Sequence, residues 1–229
     1  MMKDLISQTQ IQVNDKLYLK DPKTSVLGQK IIQTGIALID EIGFEGFTFG
    51  KLAKQLNTAE SSIYRYFESK HKLLLYITSW YWAWLEYKLV FAITNINDSK
   101  KKLQITISIL TDDISGVDEN TKINLAQLNK IVISESSKSY LTKEVENVNK
   151  AGAFAAYKRM VARISEIILE INPQFHYAHA LVSTITEGIH HQKYFAQHLP
   201  SLTDESKSNQ QLSAFFFNMA IATITDNNG

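Results

Sequence analysis

Apolar residues recur at intervals of three and four along most of this chain, and only three prolines and nine glycines interrupt them. That periodicity predicts an all-α protein. The first helix is expected from about Ser25 to Ile42, with Leu27, Ile31, Ile32, Leu38, Ile39 and Ile42 on its apolar face and Gly43 as its stop. A short second helix follows through Leu56. Thr48 is its N-cap, and Phe47 is placed to pack on Leu52 as a hydrophobic staple. Asn57 is a turn residue that tolerates left-handed backbone. A third helix spans about Ala59 to Phe67. Ser69 caps a fourth, which continues through Leu73-Leu74-Leu75 into Trp80-Tyr81-Trp82-Ala83-Trp84.

Further helices are expected at about 98–116, 121–135, 140–171, 173–198 and 205–225, with Asn172 as a cap and Pro173 at a first helical position. Leu199-Pro200 ends the helix that Pro173 opens. The polar stretch Ser134 to Ser139 reads as a loop. The expected organisation is an arm over 1–24 with little structure of its own, a helix-turn-helix segment over 25–75, and a larger helical domain over 76–229.

Composition narrows the classes. A chain of 229 residues suits one larger domain or two unequal ones. The absence of cysteine excludes a disulfide framework and thiolate metal sites, and agrees with a reducing cytoplasm. Met1 to Gln8 contains no apolar stretch of the signal-peptide kind, so a cytoplasmic location is expected. The greasiest run, Ile77 to Ile93, carries Glu86 and Lys88 and reads as a helix buried in protein, with no membrane partner. A net charge of +1 neither favours nor excludes nucleic acid, because binding depends on where the charges cluster.

His176 and His179 stand three apart, with His190 and His191 beyond them. Without cysteine or acidic residues at ligand spacing, they read as half-exposed helical histidines, and no metal or other cofactor is expected. No nucleophile–base constellation or glycine-rich phosphate loop is evident, so the chain is not expected to be an enzyme.

The third helix carries the functional signal. On a helical wheel Ala59, Ile63 and Phe67 line one side, while Ser61, Tyr64 and Arg65 face outward, with Glu60, Ser62 and Tyr66 at the flanks. The outward hydroxyls and guanidinium donate to phosphates and base edges. Taken singly, Tyr64, Tyr66 and Phe67 read equally well as core aromatics, and Lys51, Lys54, Lys70 and Lys72 as a solvated face.

In sequence order, the stretch from Lys30 to Leu74 resembles the DNA-binding domain of TetR/AcrR-type transcriptional regulators. The resemblance rests on Ile31-Ile32, Gly43-Phe44, Phe47-Thr48 with Leu52-Ala53, and Ser62-Ile63-Tyr64-Arg65-Tyr66-Phe67-Glu68-Ser69-Lys70 with Leu73-Leu74. It implies a DNA-facing set of Thr48, Lys51, Thr58, Glu60, Ser61, Ser62, Tyr64, Arg65, Tyr66 and Lys70, with Ile63 and Phe67 as buried anchors. Three positions depart from the family. Asn57 stands where glycine is usual. Ala59 replaces the usual capping residue, which leaves Thr58 to cap. Glu60 replaces a residue that is often lysine; its carboxylate repels phosphates but accepts from a cytosine amino group.

The resemblance also implies that the C-terminal helices form a homodimer and enclose a pocket for a small apolar or aromatic ligand. It implies a repressor of a palindromic operator that the ligand releases. Ala180, Ile185, Ile189, Leu212, Phe215, Phe216, Met219 and Ile224 are the candidate dimer face. Trp80, Trp84, Tyr87, Phe91, Phe154, Tyr157 and Met160 are the candidate pocket wall, though each alone reads as ordinary core.

Overall fold

The structure, a computed structural model, describes residues 11–204 and 208–225. Among these residues it is all helical: α1 Val26–Gly46, α2 Phe49–Gln55, α3 Glu60–Tyr64, α4 Lys70–Ile93, α5 Ser99–Thr111, α6 Leu125–Glu135, α7 Ser137–Tyr140, α8 Val145–Lys150, α9 Ala155–Ile171, α10 Ala178–His198 and α11 Asn209–Thr225. The one departure from helix and turn in the β direction is an isolated antiparallel bridge between Val117 and Asn124. No described helix is long and apolar enough to cross a membrane.

Three expectations about helical segments change. The helix expected over 140–171 is two helices, α8 and α9, broken where Gly152 takes a φ of 84°. Periodicity continues through a break of this kind, because left-handed glycine ends a helix without disturbing the apolar spacing around it. Pro173 opens no helix: the Asn172 side chain accepts from the Gln174 N–H at 3.0 Å in a local turn, and α10 starts five residues later. Ser136 to Ser139 is no exposed loop, since it includes α7 and both Ser136 and Ser139 are buried.

The chain divides into two compact units, residues 1–84 with 114–156 and residues 85–113 with 157–229. In the first, α1 packs on α6. Ser25 caps α1 through the Gly28 N–H at 3.1 Å, and Gly43, at φ 71° and ψ 161°, kinks its end. Polar bonds join α1 to the α6 region: Gln33 Nε2 donates to the Thr121 carbonyl at 2.8 Å, and the Phe44 N–H donates to Glu135 at 3.2 Å. Lys138 bridges Glu135 at 2.7 Å and Glu45 at 3.2 Å, while the Tyr81 hydroxyl donates to Asn129 at 2.9 Å.

The described part of the arm has only two 3-10 turns, Asp15–Leu17 and Pro22–Thr24, yet it is docked. Leu17 is 1% exposed, and burying such a side chain contributes about 2 kcal/mol. The Leu19 N–H donates to the Tyr66 carbonyl at 2.8 Å. A Cβ on Gly28 would collide with the Pro22 carbonyl oxygen, so the arm approaches α1 as closely as backbone allows.

The second unit holds the far half of α4 with α5, α9, α10 and α11; α11 lies against α5 and α10. Ile185, Ile189, Leu212, Phe216 and Ile224 are buried within the single chain, whereas Ala180 and Phe215 face outward. Buried Glu86 takes Arg159 Nε at 3.1 Å and Arg163 Nε at 2.7 Å, both from α9. Two half-exposed guanidiniums on one carboxylate compensate its desolvation. Lys193, also buried, donates to the Asp112 carbonyl at 2.8 Å and pairs with Asp113 at 3.4 Å.

His176 and His179 are exposed, but His190 is 6% exposed. This corrects the expectation of a half-exposed histidine. Burial, with Lys193 and His191 nearby, pushes its pKa down to about 4.

Folding therefore disfavours the imidazolium. The stability held with neutral His190 is complete above the ordinary histidine pKa and is lost as pH falls through it toward the depressed value. Between pH 7 and pH 5 this group removes about 2 kcal/mol of stability. Urea unfolding at the two pH values measures the loss, and His190→Gln shows a smaller difference between them. An identical difference in the variant refutes the assignment.

Candidate nucleic-acid interface

The turn between α2 and α3 is fixed by backbone geometry. The Asn57 N–H donates to the Lys54 carbonyl at 3.2 Å, the Thr58 N–H to the Ala53 carbonyl at 3.0 Å, and Asn57 sits at φ 49°. This is a Schellman end with asparagine in the left-handed position. Thr48 caps α2 by accepting from the Lys51 N–H at 3.2 Å. Thr58 does not cap α3. Ala59 occupies the N-cap with no side-chain bond to the helix, and α3 is correspondingly brief.

Ile63 and Phe67 are fully buried with Phe47 and Leu52, so the inward side of α3 and the segment after it is anchored in the core. Outward lie Glu60, Ser61, Tyr64 and Arg65, all exposed, with Ser62 half-buried at the edge. Tyr64 is 47% exposed; its ring meets Phe49 edge-on with centroids 5.0 Å apart, which steadies the phenol while leaving it on the surface. Thr48 and Lys51 are exposed on the same helix-turn-helix. The Lys51 ammonium donates to the Gly46 carbonyl at 2.7 Å.

Two residues of the expected DNA-facing set are otherwise engaged. Tyr66 is 4% exposed, and its hydroxyl shares a 2.7 Å hydrogen bond with Ser25 Oγ. Its ring lies under Lys20, with the ammonium 5.3 Å from the centroid. The signal was present: Ile63, Tyr66 and Phe67 are spaced as one apolar stripe of a helix. Lys70 directs its ammonium at the carbonyls of Phe44 (2.9 Å), Glu45 (3.3 Å) and Phe47 (3.3 Å), and lies 4.7 Å from the Phe44 ring centroid. Its three donors tie the end of α1 to the start of α4. Ser69 caps α4 as expected, accepting from the Lys72 N–H at 3.2 Å.

Glu60 also has a place that sequence alone could not supply. One of its carboxylate oxygens lies 3.3 Å from where a Cβ on Gly50 would stand, beside the first turn of α2. The chain thus carries a negative charge within the helix-turn-helix surface, between Thr48 and the exposed edge of α3.

A surface of this kind, two short helices with a buried hinge and outward hydroxyls, phenol and guanidinium, fits the major groove. Residues 31–77 match the family model described as bacterial regulatory proteins, tetR family. Over those residues the chain is similar to the tetR family. Solved structures agree in fold across most of the chain. AibR, in complex with isovaleryl coenzyme A and operator DNA, is 15% identical with a TM-score of 0.58, covering 82% of this chain and 95% of its own. The fatty acid degradation regulator FadR from Bacillus halodurans is 17% identical at 0.57, covering 91% and 98%. FadR from Bacillus subtilis in complex with stearoyl-CoA is 18% identical at 0.55, covering 86% and 97%. No curated protein matches the chain.

Beyond the matched segment, the candidate pocket residues fall in two groups. Trp80, Trp84 and Phe154 belong to the first unit; Tyr87, Phe91, Tyr157 and Met160 belong to the second. Trp80 lines a cavity of about 140 Å3 in the first unit. Met160 lines a crevice of about 10 Å3 in the second, room for little more than a water, and Phe91 is 40% exposed. The Tyr157 hydroxyl donates to Glu187 at 3.2 Å. Helical spacing gathered these aromatics on paper, but it does not say which neighbours each one meets.

Two outcomes follow from the geometry. Lys70→Met destabilises the fold by about 2 kcal/mol, since hydrogen bonds from a charged donor are lost, and leaves the salt dependence of DNA binding unchanged. A drop of about 0.9 in the slope of log affinity against log salt makes Lys70 a phosphate contact instead. Glu60→Gln strengthens binding to mixed-sequence duplex roughly threefold at low salt, the size expected for one exposed charge near phosphates. Equal or weaker binding in a filter assay contradicts this placement of the carboxylate.

Proposed function

We propose that this chain is a cytoplasmic, homodimeric, sequence-specific transcriptional regulator that binds a palindromic operator and is released by a small-molecule ligand. Residues 25–75 meet the DNA, and the helices of 76–229 provide the dimer contact and ligand response. The observation that carries this reading is the outward set Ser61, Tyr64 and Arg65 on a short helix whose inward residues, Ile63 and Phe67, are wholly buried. A five-residue helix gains little from its own burial, and its exposed face is built of hydrogen-bond donors.

One such helix binds weakly, whereas two on a symmetric dimer read half-sites about 34 Å apart. Tyr177, Tyr194 and Phe215, on or just before α10 and α11, are 65%, 37% and 57% exposed, apolar surface that a second copy covers. Ligand response is supported by relatives of the same fold, of which AibR and Bacillus subtilis FadR are solved with acyl-coenzyme A ligands.

Selection of tight binders from a random duplex library by the purified protein tests the reading. A palindrome recovered by the wild type and lost in both Tyr64→Ala and Arg65→Ala is expected. Truncating one good base contact removes about 1–3 kcal/mol of discrimination. No enriched sequence at low salt, from protein freed of bound small molecules by unfolding and refolding, overturns it.

A further inference from the structure

We infer that the arm, over Lys16–Lys20, is a second DNA contact outside residues 25–75, its lysines holding the phosphate backbone beside the groove that α3 enters. The inference rests on the regulator reading above and extends it to a segment that the matched residues 31–77 do not include.

The strip is fixed against the helix-turn-helix. Leu17 is buried, and the Tyr18 ring meets Tyr76 edge-on with centroids 6.0 Å apart. The Leu19 N–H donates to the carbonyl of Tyr66, the residue that follows Arg65 at the C-cap of α3. Chain segments joined by such a bond lie about 5 Å apart, so the strip runs alongside the end of α3. All of these residues belong to one compact unit. When a recognition helix lies in the major groove, its flanks meet the phosphate strands that wall the groove.

The backbone of the strip is anchored, but its charges face solvent. Lys16 and Lys20 are exposed, and among the described residues neither ammonium pairs with a carboxylate. Lys20 stands over the Tyr66 ring, 5.3 Å from its centroid. A ring face positions an ammonium while leaving N–H donors on its outer side for phosphate oxygens. The Lys72 ammonium, 3.5 Å from the Lys16 carbonyl, adds a third cation to the same edge. With Arg65 these three outnumber the exposed carboxylates of that edge, Asp15 and Glu68. Asp21 is turned into its own 3-10 turn, where it accepts from the Lys23 N–H at 2.9 Å.

The helix-turn-helix surface has use for this charge. Lys70 directs its donors at three carbonyls, Lys51 donates to the Gly46 carbonyl, and Glu60 brings a negative charge. Affinity that does not depend on sequence comes from neutralised phosphates, so a surface that turns two of its lysines toward its own backbone gains from cations at its margin.

The test measures the affinity of the full-length protein for a mixed-sequence duplex over a series of salt concentrations, by fluorescence anisotropy. Lys20→Met and Lys16→Met are each expected to reduce the slope of log affinity against log salt by about 0.9 for each subunit bound, and to weaken binding roughly fivefold near 0.1 M salt. Lys20→Arg keeps the wild-type slope. A wild-type slope in both methionine variants overturns the inference and leaves the regulator reading standing. An equal fall with Lys130→Met, an exposed lysine of α6, makes net charge the cause and overturns it as well. A wild-type protein that binds no duplex at low salt overturns both readings. If Lys20→Met melts early through loss of its ring contact, Lys16→Met alone decides.

Discussion

The ammonium of Lys70 is the interaction on which the helix-turn-helix part of the molecule depends. Helix α1 kinks at left-handed Gly43 just before its end, and its last carbonyls have no partner within the helix. Lys70 collects three carbonyls from that region, and because it is also the first residue of α4, the end of one helix becomes the start of the other. The short helices α2 and α3 are held between these two fixed points. Phe47, Leu52, Ile63 and Phe67 fill the space between them with fully buried side chains, and Tyr66 closes its edge through Ser25. Neither α2 nor α3 is long enough to be stable alone, so their geometry is inherited from this frame.

Local chemistry made much of this visible in advance. Thr48 caps, Asn57 is left-handed, Ser69 caps, and Ile63 and Phe67 are buried, because each depends on neighbours within a few residues. The match of residues 31–77 to the tetR family agrees with the resemblance seen in the same residues. What stayed hidden depends on distant partners. Tyr66 has both a ring and a hydroxyl, so a wheel permits either face; Ser25, forty-one residues away at the cap of α1, decides for burial. Lys70 reads as a phosphate ligand in sequence, and the three carbonyls in front of it come into view only in the fold. Residues 11–24 lack periodicity and so read as unstructured, although contacts with Tyr66 and Ala151 dock them.

The second unit shows a different limit of sequence patterning. Periodicity marks Ile185, Ile189, Leu212 and Phe216 as apolar but does not separate surface shared with a partner from core within one chain. Here they are core, and the outward apolar residues include Tyr177, Tyr194 and Phe215. Ionisable residues were harder still. Glu86, Lys193 and His190 interrupt otherwise apolar stretches and are buried rather than solvated, two of them neutralised by charged partners. Burial of such groups is decided by what faces them, and those partners lie 73, 77 and 80 residues away along the chain.

The carboxylate of Glu60 bears on how such a protein searches a genome. Most encounters with DNA are with the wrong sequence, and their strength comes from phosphates that are the same everywhere. On the proposed reading, a fixed negative charge on the docking surface weakens every one of those encounters alike, while hydrogen bonds from Ser61, Tyr64 and Arg65 to base edges act only at a matching site. Residence on irrelevant DNA shortens more than residence on the operator. The glutamate thus exchanges raw affinity for a faster and more discriminating scan.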